Sequence, residues 1–308
     1  MTSGHRILVI GREGQLAREL ARARWPANWH ITFEGRPELD LRFPDQAASA
    51  VAAAAPNLVV NAAAYTDVEL AESEAELALL INATGPAAVA SACAKIGAPL
   101  LAVSTDYVFD GQKPGPYVED DPVNPLGAYG RSKAEGEARI RAALPEHMIL
   151  RTSWLFSPFG TNFVRTMMRL GGERPVLRVV ADQRGCPTGA GDLAGAIIAV
   201  CTAMKSGNGR FGTYHVANAG ATSWYEMAMA IFKGLAARGE RVPDVVPITT
   251  AEYPTKAARP ANSVLDCGKI ASTFGVTLRP WRDALDECVS ELAGQQPHRA
   301  GVRTGGAS

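Results

Sequence analysis

Runs rich in Ile, Leu and Val alternate with stretches of helical period through the first half of the chain. Residues 7–10, 30–33, 57–60, 99–104 and 148–150 read as strands, each followed by a helical pattern. Leu58-Val59-Val60 is apolar at every position, so both faces of its sheet need a cover. The β-α-β rhythm then requires parallel strands joined by right-handed crossovers. The pattern predicts an α/β fold, a doubly wound parallel (Rossmann-like) sheet with a smaller C-terminal region. Ligands of such sheets lie beyond the carboxyl ends of the strands, which places the residues after Ile10, Val60, Val103 and Leu150 around one crevice.

Past about residue 155 the strands thin out to 176–181 and 213–216, separated by helical patterns at 193–204 and 224–235. The expected organisation is a main unit over residues 1–155 and a smaller unit mainly over 156–294, with strands and helices free to return to the first. Residues 295–308, Gly-rich and without apolar period, read as a flexible tail. The Ala-rich stretch 47–55 reads as an ordinary helix.

Composition narrows the class. With 47% hydrophobic and 20% charged residues over 308 positions, the chain is neither disordered nor fibrous. Lys plus Arg (31) cancel Asp plus Glu (31), so no long-range field gathers nucleic acid or anionic lipid. Cys93, Cys186, Cys201, Cys267 and Cys288 stand singly, without a CxxC pair, which predicts no disulfide frame, no zinc site and a reducing cytoplasmic setting. The apolar run near the N-terminus is too short for a signal peptide, and no later run has ~18 continuous apolar residues, so no membrane partner is expected.

The candidate chemistry falls where the crevice is expected. Gly11-Arg12-Glu13-Gly14-Gln15-Leu16-Ala17 follows the first strand and opens a helix at 15–24, where backbone N–H groups and a helix dipole suit a pyrophosphate. The spacing is GxxGxxA rather than GxGxxG, and a plain strand-to-helix turn is the competing reading. Asp40-Leu41 either bonds an adenosine or, through Asp40, caps the helix near Pro44; Arg36 either neutralises a 2′-phosphate or is merely solvated. Asn61 to Tyr65, with Ala63 and Ala64, follows the third strand, where small side chains admit a flat ring or a ribose against backbone.

Ser104-Thr105-Asp106 ends the fourth strand, and Tyr129-Gly130-Arg131-Ser132-Lys133 opens a helix. Four residues apart, Tyr129 and Lys133 share a helix face, from which the ammonium is expected to lower the phenol pKa. A phenol so tuned, with Thr105 holding a carbonyl oxygen against it, meets the negative charge that builds when hydride reaches that carbonyl. YxxxK also arises by chance on exposed helices. Its place in chain order after the Gly-rich turn and the strand-end Thr favours the catalytic reading.

These residues, with Thr66, Tyr107 to Gly111, Pro116-Tyr117, Arg151-Thr152-Ser153-Trp154, Asp182 to Thr188, Tyr214-His215 and Arg259 to Ser263, resemble the extended short-chain dehydrogenase/reductases. Within them the chain is similar to the dTDP-4-dehydrorhamnose reductases over nearly its whole length. The resemblance implies Tyr129 as general acid, Lys133 tuning it and contacting the nicotinamide ribose, and Thr105 orienting the 4-keto group. It implies Asp106 and Trp154 in the sugar pocket, Gly14, Gln15 and Leu16 on the pyrophosphate, Asp40 and Leu41 on the adenosine, and Ala64, Tyr65 and Thr66 on the rest of the dinucleotide. NADPH is the expected cofactor, with NADH left open, and a dTDP-sugar the expected partner of a monomer or homodimer. His215 is read as a framework residue. Ala17 replaces a third glycine and should slightly reshape the approach of helix to strand. Some relatives join subunits through Mg²⁺ held by glutamates; Glu19 matches one such position, but Gly191 stands where another carboxylate is expected, so no metal is assigned. The alternatives are an epimerase or dehydratase of the same family and a noncatalytic dinucleotide-binding regulatory subunit. Against dehydration, Tyr107 follows Asp106 where such relatives carry a second carboxylate.

Overall fold

A computed structural model of the chain describes residues 4–208 and 210–295. The first half runs β1 (His5–Ile10), α1 (Gln15–Arg22), β2 (Trp29–Glu34), α2 (Pro44–Ala54) and β3 (Leu58–Asn61), then α3 (Val68–Ala71) and α4 (Ala75–Leu79). A π-helical turn, Leu80–Thr84, leads into α5 (Gly85–Ile96), followed by β4 (Leu100–Thr105), a 3-10 turn Asp106–Val108, α6 (Ala128–Ala143) and β5 (His147–Thr152). The second half holds β6 (Leu155–Phe156), α7 (Phe163–Glu173), β7 (Val176–Val180), β8 (Arg184–Gly185), β9 (Thr188–Gly189) and α8 (Ala190–Ala203). It continues through β10 (Gly212–His215), β11 (Thr222–Ser223), α9 (Trp224–Ala236), β12 (Asp244–Ile248), α10 (Gly268–Phe274) and α11 (Trp281–Gln295). Of the expected tail, Gln295 ends α11, and residues 296–308 lie outside the described residues.

Six strands form a parallel sheet in the order β10-β5-β4-β3-β1-β2. Alternation along the strands divides the core. Ile7 and Val9 of β1 face a layer containing Leu16 and Leu20 of α1 and Leu193 and Ile197 of α8. Leu8 and Ile10 face the opposite layer, with Val51 of α2 and Val89 and Cys93 of α5. All these side chains are buried, and each large aliphatic contributes about 1.5–3 kcal/mol by leaving water. The helical run Ala75–Ile96 has the length and apolar composition of a membrane span, yet Val89, Ala90 and Cys93 are fully buried in this core.

A third cluster packs α7, α9 and α11 around Phe156, Met227, Ile231 and Leu285, beside the parallel pair β7 and β12. The chain nevertheless returns to the main sheet: α8 covers it, and β10 extends it beyond β5. Because β1 connects to β2 on one side and pairs with β3 on the other, a crevice opens at the carboxyl ends where the winding reverses.

Candidate active site

A cleft of about 1240 Å³ occupies that crevice. Gly11, Gly14, Gln15, Leu16, Arg36, Asp40, Leu41, Ala63, Ala64, Tyr65, Thr66, Thr105, Asp106, Tyr129, Lys133 and Trp154 all line it, so the residues singled out in sequence meet in one place.

At the β1 end, Gly11 takes φ +123, which an L side chain rarely adopts, and its N–H donates to the Glu34 carbonyl at 2.7 Å. A Cβ at Gly11 would lie 3.5 Å from the Ala17 methyl, an ordinary contact. Gly14 precedes α1 with no side-chain cap, and a Cβ there would meet nothing within 4 Å. The first N–H groups of α1 therefore face open space, which suits a phosphate anion. Gln15 ties this turn to the loop before α7: Nε2 donates to the Thr161 carbonyl at 3.3 Å, and Oε1 accepts from Asn162 Nδ2 at 2.9 Å.

Asp40 does not cap α2, whose N-cap is Phe43. Its carboxylate instead accepts Arg42 Nε at 2.8 Å and Nη2 at 2.6 Å, and the hydrogen bond to Arg42 holds its pKa below the usual range. Arg36 is exposed and adds to that field. Arg12 reaches Glu34 at 3.7 Å and Glu38 at 3.1 Å. At the carboxyl end of β2, Arg12 and Arg42 are thus engaged by Glu34, Glu38 and Asp40, and exposed Arg36 stands beside them as the candidate for a 2′-phosphate. Arg12 and Arg42 carried no sequence signal of their own.

The β3 loop is fixed by a residue that sequence reasoning missed. Buried Asn82, in the π-helical turn, accepts the Tyr65 N–H at 2.8 Å and donates to the Tyr65 carbonyl at 3.0 Å and to Ser132 Oγ at 2.9 Å. Ser132 Oγ in turn donates to the Tyr129 carbonyl at 2.7 Å. Asn82 therefore couples the 62–66 loop to the start of α6. A buried amide in an apolar helical run was the signal available.

Thr105 Oγ1 donates to Asp106 Oδ1 at 3.0 Å and accepts the Tyr107 N–H at 3.2 Å. Asp106 Oδ2 accepts from Ser153 Oγ at 3.0 Å, but burial outweighs these bonds and pushes the carboxyl up to about 6. Tyr129 and Lys133 both reach the cleft from α6. Lys133 does not lower the phenol as the spacing suggested. Burial dominates and pushes Tyr129 up to about 12, with a hydrogen bond to Thr105 acting the other way. Burial also brings the Lys133 ammonium down to about 8, while its Nζ donates to the Val103 carbonyl at 2.7 Å. Beneath them Glu137 accepts Ser104 Oγ at 2.6 Å, Arg151 Nε at 2.9 Å and Arg151 Nη2 at 2.7 Å, locking α6 to β4 and β5.

Trp154 has φ +47 and stacks on Trp224 with centroids 3.5 Å apart and planes 7° from parallel. Trp224 also lines the cleft, and nothing in its local sequence marked it. His215 lies away from the cleft; it is buried, approaches the Tyr117 carbonyl through Nδ1 at 3.1 Å, and is brought down to about 4 by burial. At Glu19, Arg22 supplies the positive charge: its Nε meets the carboxylate at 2.5 Å, and its Nη1 reaches Glu291 at 2.9 Å. Gly191 brings no carboxylate, and no group of three or more His, Cys, Asp or Glu suited to a metal occurs among the described residues.

A family model described as RmlD substrate binding domain matches residues 5–293. A dTDP-4-dehydrorhamnose reductase from Sinorhizobium fredii is 43% identical over 289 residues, covering 93% of this chain and 97% of the relative. The crystal structure of such a reductase from Clostridium acetobutylicum superposes with a TM-score of 0.87 at 38% identity, over 94% of this chain and 99% of that one. One from Bacillus anthracis, solved in complex with NADP, gives 0.86 at 35% identity with the same coverage.

Proposed function

The chain belongs to the dTDP-4-dehydrorhamnose reductase family, and on that premise we propose that it reduces dTDP-4-dehydro-β-L-rhamnose (dTDP-6-deoxy-L-lyxo-4-hexulose) to dTDP-β-L-rhamnose, the last step of dTDP-L-rhamnose biosynthesis. Bound in the cleft, NADPH would supply the hydride that reduces C4. The chain's residues supply the rest. Gly14, Gln15 and Leu16 offer free N–H groups to the pyrophosphate, and Arg36, exposed beside the Asp40–Arg42 pair, is the cation for a 2′-phosphate. Thr105 and Tyr129 hold the keto oxygen, and Tyr129 gives it a proton as charge develops. A phenol held near 12 remains protonated at neutral pH, the state a donor needs. Lys133, its Nζ donating to the Val103 carbonyl, contacts the nicotinamide ribose from the same helix, and solvent returns the proton to the phenolate. Trp154, braced by Trp224, forms a wall of the sugar pocket.

The observation that carries this reading is the meeting of Thr105, Tyr129 and Lys133 in the same cleft as the uncapped start of α1. Tyr107, half-buried where a dehydratase would need a second carboxylate, supports reduction over dehydration. The proposed setting is the cytoplasm, as a monomer or homodimer, and the five free cysteines support a reducing compartment. The test is oxidation of NADPH, followed by absorbance, in the presence of the dTDP-keto-sugar. Wild-type protein is expected to turn over, and Tyr129→Phe to lose about 100-fold or more of kcat while still binding NADPH. Wild-type protein that binds NADPH but leaves the keto-sugar unchanged would refute the proposal.

A further inference from the structure

Reduction needs the Thr105 hydroxyl to donate to the keto oxygen, yet that hydroxyl has a single proton and the structure places it elsewhere. Oγ1 donates to Asp106 Oδ1 at 3.0 Å, accepts the Tyr107 N–H at 3.2 Å, and is hydrogen-bonded with the Tyr129 hydroxyl. A hydroxyl offers one proton and two lone pairs. With the Tyr107 N–H on one lone pair and the proton on an ionised Asp106, Oγ1 can only accept from Tyr129. Both donors are then turned away from the substrate. A proton on Asp106 reverses the chain: its O–H takes the second lone pair of Thr105, and the Thr105 and Tyr129 protons both become available to the keto oxygen.

The surroundings fix which carboxyl oxygen carries that proton. Ser153 Oγ donates to Oδ2 at 3.0 Å, and Ser263 also donates to the carboxyl, so Oδ2 is an acceptor while Oδ1 faces Thr105. Asp106, Thr105, Ser153 and Ser263 are all buried, a setting in which a charge is costly and a neutral acid is not. We infer that Asp106 works in its protonated form as the positioning residue for Thr105, its Oδ1–H directing the Thr105 and Tyr129 hydroxyls at the keto oxygen, an inference that rests on the proposed reduction. Asp106 keeps its proton throughout, and the one that reaches the substrate is Tyr129's. With the carboxyl at about 6, kcat/KM falls above that pH, about tenfold per unit. The groups around it titrate elsewhere. Desolvation holds Tyr129 at about 12 and Cys186 at about 11, raises Tyr107, and brings Lys133 down to about 8, while the guanidinium charges of Arg184 and Arg259 are fixed.

The experiment follows kcat/KM for the dTDP-keto-sugar across the range from about pH 5 to about pH 7.5 in wild type, Asp106→Asn and Ser153→Ala, with NADPH binding measured by fluorescence. Asp106→Asn cannot ionise, and its amide offers Thr105 a weaker donor than a carboxylic acid. It is expected to start about 10-fold below wild type at the acid end, to hold that rate across the range, and to overtake wild type at the other end. Ser153→Ala removes a hydrogen bond that favours the charged form, so its falling limb moves up by about half a pH unit to one unit. A merely structural role for either residue would lower the rate alike at every pH. A flat wild-type profile overturns the inference, as does a limb that Asp106→Asn retains; if Asp106→Asn fails to hold NADPH, an unmoved limb in Ser153→Ala is the overturning result. Protein that binds NADPH but reduces no keto-sugar at any pH counts against the proposed reaction, and infrared difference spectra of NADPH-loaded wild type minus Asp106→Asn then decide. A protonated-carboxyl C=O band that fades as pH rises through about 6 is expected, and carboxylate bands alone at the acid end overturn the inference.

Discussion

Asp106 and Lys133 are held at the base of the cleft with their charged forms disfavoured, because burial removes water faster than neighbours replace it. The consequence for stability is clearest at Asp106. Below pH 3.8 its carboxyl is protonated in the folded and unfolded chain alike. Between 3.8 and about 6 the folded protein keeps a proton that the unfolded chain has released, so stability falls as pH rises through that window. Above it the full deficit stands, at most about 3 kcal/mol for a shift of this size. Asp106→Asn never ionises and retains an acceptor for Thr105. Urea denaturation is expected to show the variant more stable than wild type by about 2–3 kcal/mol at pH 7.5 and equal to it near pH 3.5. Parallel stabilities at the two pH values would mean that the carboxyl is not buried as described. The price of keeping such a group in the core is consistent with a functional rather than structural demand on it.

At the scale of elements, α6 carries both Tyr129 and Lys133, and its closeness to its neighbours decides where they point. Two glycines set that distance. A Cβ on Gly136 would lie 2.0 Å from the Asn82 carbonyl oxygen, and one on Gly130 would lie 2.2 Å from that of Tyr107. Helix propensity alone favours alanine over glycine by about 1 kcal/mol. Gly136→Ala is nevertheless expected to destabilise by about 1–3 kcal/mol, since backbone rather than a mobile side chain blocks the methyl, and to lower kcat/KM by displacing the catalytic pair. Gly195→Ala is the matched control. It sits at an exposed position of α8 with nothing within 4 Å of its Cβ, so it should gain about 0.5–1 kcal/mol and leave activity alone. Thermal melts and initial rates on the two variants decide between the opposite signs. The sequence announces such contacts only as glycines in a helical pattern, and the partner stays hidden until the fold brings it near. The strand-end motifs were legible because buried strands write apolar runs and the chemistry follows each run directly. Asn82 and Trp224 were not, because each acts through a partner far away in sequence: Asn82 through Tyr65 and Ser132, Trp224 through Trp154.

At the scale of the whole molecule, the order of chemistry along the chain suggests that the dinucleotide site is complete by about residue 155, and every cofactor residue named from sequence does lie before it. The packing says otherwise about folding. Leu193, Ala194, Ile197, Val200 and Cys201 of α8 are buried against the same face of the sheet as Ile7, Val9 and Val60, together with Tyr214 and Val216 at the far strand and Ile270 of α10. Without them that face loses much of its cover, and β5 becomes an open edge where β10 now pairs with it. Several fully buried aliphatic side chains, at about 1.5–3 kcal/mol each, together rival the roughly 5–15 kcal/mol that ordinarily separates folded from unfolded chains. A fragment of residues 1–155 is therefore expected to lack a cooperative melt and to leave NADPH fluorescence unchanged, although it contains Gly11 to Leu16, Asp40, Tyr65, Tyr129 and Lys133. A second check keeps the chain whole: Ile197→Asp removes no site residue yet places an unpaired charge in the shared layer. It is expected to lose NADPH binding together with the main-sheet melt. If the short fragment folds and binds NADPH, the sheet does not need its returning helix, and the two halves of the chain are separable in a way that this packing forbids.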